Sequence, residues 1–375
     1  MRIAVNTRLL IPAKLDGIGW FTAETMRLVV TQHPEHEFYF LFDRRPDPRF
    51  IFASNVHPVV LCPPARHPLL WYAYFEWSVA CALRRYKIDL FVTPDGYMPL
   101  HGSTPTLSVI HDLNFEHDSS YLKPSHQRYM SHYFHRFAQR AERIATVSEY
   151  SKSDIVGTYG IAADRVDVVY NGSNSQYTPR SEAQNTETRN RISGGERYFL
   201  FVSTILKRKN LAGLLRAFDT YKDRTKDGTK LVVVGHRVWW QDELRAAYDE
   251  MEHQADVIFI GHADVAQLAG IMAAAEALVY PSLFEGFGIP IIEAFSAGTP
   301  VITSNVTSMP EIAGDAALII DPHNPDTITD AMLQLSDPAV RATLIERGHR
   351  QGSKFSWQRT ADLLWQSMMK TCNQQ

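Results

Sequence analysis

Short runs of β-branched and aromatic residues alternate along this chain with longer amphipathic stretches, and the alternation starts twice. The first series of strand-like runs is 2–6, 38–42, 89–92, 106–110 and 166–169. The second is 198–202, 231–234, 257–260, 277–280, 301–303 and 317–320. Strands this short and apolar need cover on both faces, which places them in parallel sheets flanked by helices, the doubly wound α/β class. Between the two series, residues 173–197 lack hydrophobic periodicity and are rich in Ser, Asn, Thr and charge, the pattern of a linker.

The expected organisation is therefore a Rossmann-like domain over 1–180, a linker over 181–197 and a second Rossmann-like domain over 198–355. A terminal helix over 356–375 follows, its apolar residues Trp357, Ala361, Leu363, Leu364 and Met368 spaced to cover one surface and expected to pack back towards the first domain. A length of 375 residues suits two cores better than one.

Hydrophobic residues at 45% against 21% charged exclude a disordered chain. Lys and Arg number 38 against 41 Asp and Glu, so no net positive field draws nucleic acid. Cys62, Cys81 and Cys372 are odd in number and dispersed, which excludes a disulfide framework and a paired-cysteine zinc site. The opening residues lack the apolar core of a signal peptide, and no run approaches the roughly 18 to 20 apolar residues of a membrane span. The expected location is the cytoplasm.

The window 281–305, PSLFEGFGIPIIEAFSAGTPVITSN, carries the chemistry. A strand leads into a turn with Gly286 and Gly288, and Pro290 suits the first turn of the helix that follows. Free amides and the positive end of a helix dipole then await an anion, a phosphate above all. Glu285 and Glu293 flank that turn, and carboxylates accept bonds from the vicinal hydroxyls of a sugar or a ribose. A glutamate serving only the helix dipole is the plainer alternative.

This window resembles the signature of the retaining glycosyltransferase family 4 enzymes of the GT-B fold. Matching landmarks run through the chain: GIG from Gly17, IHD from Ile110, TVSEYSKSDI from Thr146, YNG from Tyr170, KRKN from Lys207, VVGHRVWW from Val233 and SMPEIAGDAA from Ser308. The resemblance implies two domains facing each other across a cleft, the first receiving the acceptor and the second the nucleotide sugar. It implies that Glu285 contacts the donor sugar, that Glu293 holds the ribose, and that the amides of Gly286, Phe287 and Gly288 cradle sugar and phosphate. Lys209, with Arg208 beside it, would neutralise the departing diphosphate. One departure is Ser203-Thr204 where relatives of one branch carry Arg, which leaves Arg208 to compensate.

His111 follows the strand 106–110, at the strand end where open α/β sheets place ligands, and the resemblance sets it near the reaction centre. Asp112 would fix its tautomer or contact the acceptor. Gly17 and Gly19 open a helix whose amides would close over the diphosphate; the third glycine of a dinucleotide fingerprint is missing, its place taken by Thr22.

Residues 69–87 pack Trp71, Tyr72, Tyr74, Phe75 and Trp77 before Arg84, Arg85 and Lys87, and 125–143 repeat the mixture of aromatic and basic residues. Both read equally as core helices with basic ends or as a contact with the inner face of a membrane. The histidines of 125–143 lack cysteines and the H-E-x-x-H spacing, so no metal site is expected.

These readings converge on an enzyme that transfers a hexose, mannose from GDP-mannose first, to a glycan hydroxyl, with no cofactor and no divalent metal. The motif set looks most like bacterial mannosyltransferases of surface-polysaccharide assembly, whose acceptors are commonly lipid-linked oligosaccharides. A UDP-sugar-dependent hexosyl- or N-acetylhexosaminyltransferase, a nucleotide-sugar epimerase and an inactive glycan-binding assembly partner are the alternatives.

Overall fold

The computed structural model describes residues 1–373 except 13, 14, 16, 66, 120, 121, 237 and 239, so Arg237 and Trp239 of the 233–240 stretch lie outside the described residues. The chain divides into a unit of Met1–Asn171 with Trp357–Gln375 and a unit of Gly172–Ser356.

In the first unit, β1 (Arg2–Asn6), β2 (Glu37–Phe42), β3 (Val56–Val60), β4 (Leu90–Thr93), β5 (Thr106–Val109), β6 (Arg143–Thr146) and β7 (Val166–Val168) form one parallel sheet. Its order is β3-β2-β1-β4-β5-β6-β7. β1, β4, β5 and β6 are almost wholly buried, as sheets covered on both faces require.

Two strands are missing from the sequence reading, each for a stated reason. β3 contains Pro58, which cannot donate to a ladder; the strand lies at the sheet edge, where that loss is tolerated. β6 begins with Arg143, a charge that reads as a helix end. Its guanidinium is nonetheless buried because Asp167 of β7 accepts from Nε at 2.9 Å and from Nη2 at 3.0 Å.

The second unit repeats the pattern with β8 (Tyr198–Val202), β9 (Lys230–Val234), β10 (Val257–Gly261), β11 (Ala277–Tyr280), β12 (Val301–Ser304) and β13 (Ala317–Ile320). The order is β10-β9-β8-β11-β12-β13, again all parallel. Phe199, Phe201, Leu231, Val233, Val279 and Ile302 meet the helix Leu211–Thr225 through Leu214, Leu215 and Phe218 in one core.

The expected linker over 181–197 is corrected: Glu182–Ser193 is a helix of the second unit. Ser181 and Gln184 form a capping box, and Gly194 ends the helix in the left-handed region. Only Thr188 and Ser193 are buried along it, so caps and propensity carry a helix that has no apolar stripe to show. The boundary accordingly falls at Asn171/Gly172, and residues 172–180 belong to the second unit.

The terminal helix Trp357–Cys372 packs within the first unit, where Trp357, Ala361, Leu364 and Met368 share a core with Phe21, Met26 and Leu90. It is also hooked to the sheet, since Asp167 accepts from Ser367 Oγ at 2.7 Å and from Lys370 Nζ at 2.8 Å. Burial raises the Asp167 carboxyl, but the bonds from Arg143, Lys370 and Ser367 outweigh it and hold the group at about 2. No described helix is long and apolar enough to cross a membrane.

Candidate active site

In each sheet the strand order reverses beside the first strand of the unit: β1 lies next to β4, and β8 next to β11. Ligands of open α/β sheets sit outside the carboxyl ends of the strands at such reversals.

In the second unit the chain leaves β8 and makes a single 3-10 turn, Lys207–Lys209. Asn210 closes it with φ 56°, accepting from Gly213 N at 3.2 Å and donating to Pro322 O at 2.7 Å. Lys209 Nζ is thereby brought to the end of β11, where it bonds Glu285 and lies 3.0 Å from the Tyr280 hydroxyl. Tyr280 donates in turn to Glu285 Oε1 at 2.8 Å. Arg208 Nη1 donates to Phe284 O at 2.8 Å and to Glu285 Oε2 at 3.2 Å.

Lys209 and Glu285 are 7% and 6% exposed, so the pair is buried rather than solvated. Burial alone would raise the Glu285 carboxyl; Lys209 first and Arg208 second hold it down at about 2. Two cations face one carboxylate, which leaves the cluster one positive charge in excess.

The glycine-rich turn is fixed from behind. Glu285 N donates to Thr307 Oγ1 at 3.2 Å, and Ser308 Oγ lies 2.9 Å from Glu285 O and 3.1 Å from Phe287 O. The Phe287 ring meets Phe355 edge-on at 5.7 Å. Gly288 heads the helix Ile289–Ala297 with φ 98°, a conformation that only glycine adopts at little cost. That helix has no side-chain cap and carries Pro290 in its first turn, so its dipole favours an anion at the glycine end.

Glu293 lies farther along the same helix and is half-buried. Burial raises its carboxyl to about 7, opposed by a hydrogen bond from the Tyr177 hydroxyl. Tyr177 comes from the segment read as linker.

The structure thus gathers Lys209, Arg208 and Glu285 into one cluster, joined by the turn Gly286, Phe287 and Gly288, with Glu293 on the helix it opens. His111, Asp112, Gly17 and Gly19 belong to the first unit. His111 Nε2 donates to Pro94 O at 2.9 Å, so a backbone carbonyl sets its tautomer. Its ring meets Phe21 edge-on at 5.0 Å. Asp112 Oδ1 accepts from Asn114 N at 3.0 Å, a local turn that leads into the helix Asn114–His117. Gly17 is the first residue of the helix Gly17–Gln32, and Gly19 is buried in its first turn.

The sequence reading misses Tyr280, Thr307, Ser308 and Tyr177 as site residues. Ser308 stood at the head of a quoted landmark, but only the turn's carbonyls reveal its task. Among the described residues no group of three or more His, Cys, Asp or Glu could hold a metal ion.

The aromatic run 69–87 is buried in part. Trp71, Tyr74 and Phe75 are core residues, whereas Leu69 and Trp77 are 77% and 64% exposed, with Leu70 and Tyr72 beside them. Tyr72 meets Tyr133 of the helix Pro124–Arg140 at 6.2 Å, and that helix exposes Arg128 and Arg136.

Comparison with known proteins places two family models on this frame. The model described as Glycosyltransferase Family 4 matches residues 16–177, and that described as Glycosyl transferases group 1 matches 183–351. The O-antigen chain mannosyltransferase B of Escherichia coli is 34% identical over 92% of this chain and 93% of its own. The sucrose-phosphate synthase of Thermosynechococcus elongatus superposes with a TM-score of 0.79 at 18% identity, over 98% of each chain. Anabaena HepE in complex with UDP-glucose does so with a TM-score of 0.74 at 15% identity, over 99% of this chain and 100% of its own. At such identities the two superpositions establish the fold alone, the GT-B class with its two Rossmann-like domains.

Proposed function

This chain belongs to the family 4 glycosyltransferases, and we propose that it transfers mannose from GDP-mannose to a hydroxyl of a lipid-linked glycan, with retention at the anomeric carbon. The observation that carries the reading is the buried cluster of Lys209, Arg208, Tyr280 and Glu285 at the strand reversal of the second unit. The choice of mannose is supported by the E. coli mannosyltransferase that matches 92% of this chain.

In this reading the diphosphate meets the uncapped helix at Gly288 and the excess positive charge of Lys209 and Arg208. Charge develops on the diphosphate as the bond from its oxygen to the sugar carbon breaks, and fixed cations stabilise that state more than the bound donor. The acceptor oxygen bonds to the same face of that carbon, and its proton passes to the leaving diphosphate. Glu285, held ionised by its two cations, accepts hydroxyls of the donor sugar; Glu293 accepts those of the ribose. No divalent metal is needed, because the protein supplies the charge.

The exposed Leu69, Tyr72 and Trp77, flanked by Arg84, Arg85, Arg128 and Arg136, suit an anionic lipid surface that would present a lipid-linked acceptor. Trp77→Ser with Leu69→Ser should then abolish co-flotation with phosphatidylglycerol vesicles.

The deciding experiment is thermal shift against GDP, UDP, dTDP and ADP, followed by sugar transfer to a glycan primer. GDP should stabilise most, since a ligand that binds only the folded state raises its apparent stability. A clear preference for UDP would move the donor to a UDP-hexose or UDP-N-acetylhexosamine, and absence of transfer with any donor would favour an assembly role.

A further inference from the structure

The first unit carries a counterpart of the Lys209–Glu285 pair. Arg8 follows β1 as Lys209 follows β8, and Asp95 follows β4 as Glu285 follows β11, so both pairs stand where the strand order reverses. Arg8 Nε donates to Asp95 Oδ2 at 2.6 Å, with side-chain exposures of 9% and 4%. Asp95 Oδ1 also takes Asn6 Nδ2 at 2.7 Å and Tyr97 N at 3.3 Å. The guanidinium carbon lies 4.7 Å from the Tyr97 ring centre and 5.8 Å from those of Trp71 and Phe75.

Folding alone does not call for this arrangement, since a buried ion pair is often no better than apolar side chains of the same volume. The carboxylate is amply bonded, whereas the guanidinium is not. Arginine has five side-chain N–H donors, and among the described residues the structure gives the Arg8 side chain a hydrogen bond to Asp95 alone, through Nε. Its two terminal nitrogens are held in place, and among the described residues the structure shows no hydrogen bond from them to a protein acceptor. The loop is shared with the expected reaction centre, because His111 Nε2 bonds the carbonyl of Pro94, the residue before Asp95.

We infer that Arg8 binds the acceptor, its terminal nitrogens donating to vicinal hydroxyls of a neutral hexopyranose at the growing end of the glycan. Asp95 cancels the charge, so the site offers an anion no net attraction; the rings of Trp71, Phe75 and Tyr97 hold the guanidinium plane, and its paired coplanar donors match the vicinal oxygens of a pyranose. This rests on the glycosyltransferase reading above.

The test uses the full chain, a mannose-terminated oligosaccharide acceptor, and the variants Arg8→Gln and Arg8→Lys. In Arg8→Gln the acceptor KM should rise about tenfold or more, the usual effect of losing charge-assisted hydrogen bonds, while kcat falls less. Nucleotide affinity, read separately by thermal shift, should change less than about twofold. Arg8→Lys should not rescue, because an ammonium cannot hold Asp95 and still present two coplanar donors. In the wild-type protein the Arg8 Nη–H resonances should shift with acceptor and not with nucleotide, a reading that needs no variant to fold. An unchanged acceptor KM in a folded variant, or resonances that move with nucleotide alone, overturns the assignment. Preference for a phosphorylated acceptor that is lost in the variant overturns the neutral class. Absence of transfer by the wild-type protein with every nucleotide sugar would instead sink the glycosyltransferase reading.

Discussion

At the scale of single residues, the chemistry proposed for the second unit rests on two carboxylates shifted in opposite directions. Glu285 is held ionised by two cations, and Glu285→Gln leaves Lys209 buried without its countercharge. Breaking one side of a buried pair costs about 3 to 5 kcal/mol, so this variant should melt well below wild type as well as lose turnover. Melting at the wild-type temperature would show the pair to be solvated. Lys209 is buried against Glu285, so Lys209→Ala should lower the melting temperature as well as turnover. Glu293 is the reverse case, its carboxyl raised by burial from 4.5 to about 7. Between those values the folded chain keeps a proton that the unfolded chain releases, so this group's contribution to stability declines as pH rises through that window. An ionised carboxylate accepts ribose hydroxyls better than a protonated one. Nucleotide affinity should therefore increase as pH rises through about 7, and titration of Glu293→Gln should give a flat profile there. A wild-type profile without that inflection would remove Glu293 from the ribose.

At the scale of elements, the glycine turn and the terminal helix make separate demands. Gly288→Ala forces a Cβ at φ 98° to within 3.0 Å of Ile291 Cδ1. Such strain costs roughly 1 to 3 kcal/mol, and the helix start should shift enough to weaken nucleotide binding in the same thermal-shift series; unchanged binding would detach that helix from the phosphate. Truncation before Trp357 uncovers Phe21 and Met26 and strips Lys370 and Ser367 from Asp167. The shortened chain should lose solubility and melt lower, and identical melting would contradict the packing. Elements were legible where periodicity was strong, as in the five strands recovered in the first unit and all six in the second. The helix Glu182–Ser193 was not, because a helix exposed on nearly every side has no stripe to read.

At the scale of the whole molecule, the proposed metal-free mechanism is the part of the reading most open to test. Transfer measured after exhaustive chelation should proceed at the rate seen with added Mg²⁺ or Mn²⁺. No two aspartates stand two positions apart in the chain, and in the proposed mechanism the positive charge for the diphosphate would come from Arg208, Lys209 and the helix at Gly288. Activity that vanishes with the chelator and returns with metal would overturn both the mechanism and the hydroxyl-binding roles of Glu285 and Glu293.

The sequence by itself determined the parallel α/β class, the double start of the pattern and the turn from Glu285 to Gly288, because each is written in neighbouring residues. Strand propensity, helix period and glycine punctuation all act over a few positions. The tertiary structure decided which charges meet. Lys209 and Glu285 are 76 positions apart and Arg8 and Asp95 are 87 apart, and each pair forms only because the sheet order sets β8 beside β11 and β1 beside β4. That order is fixed by burial on both faces of a sheet, a property of the packed molecule that no local window of sequence contains.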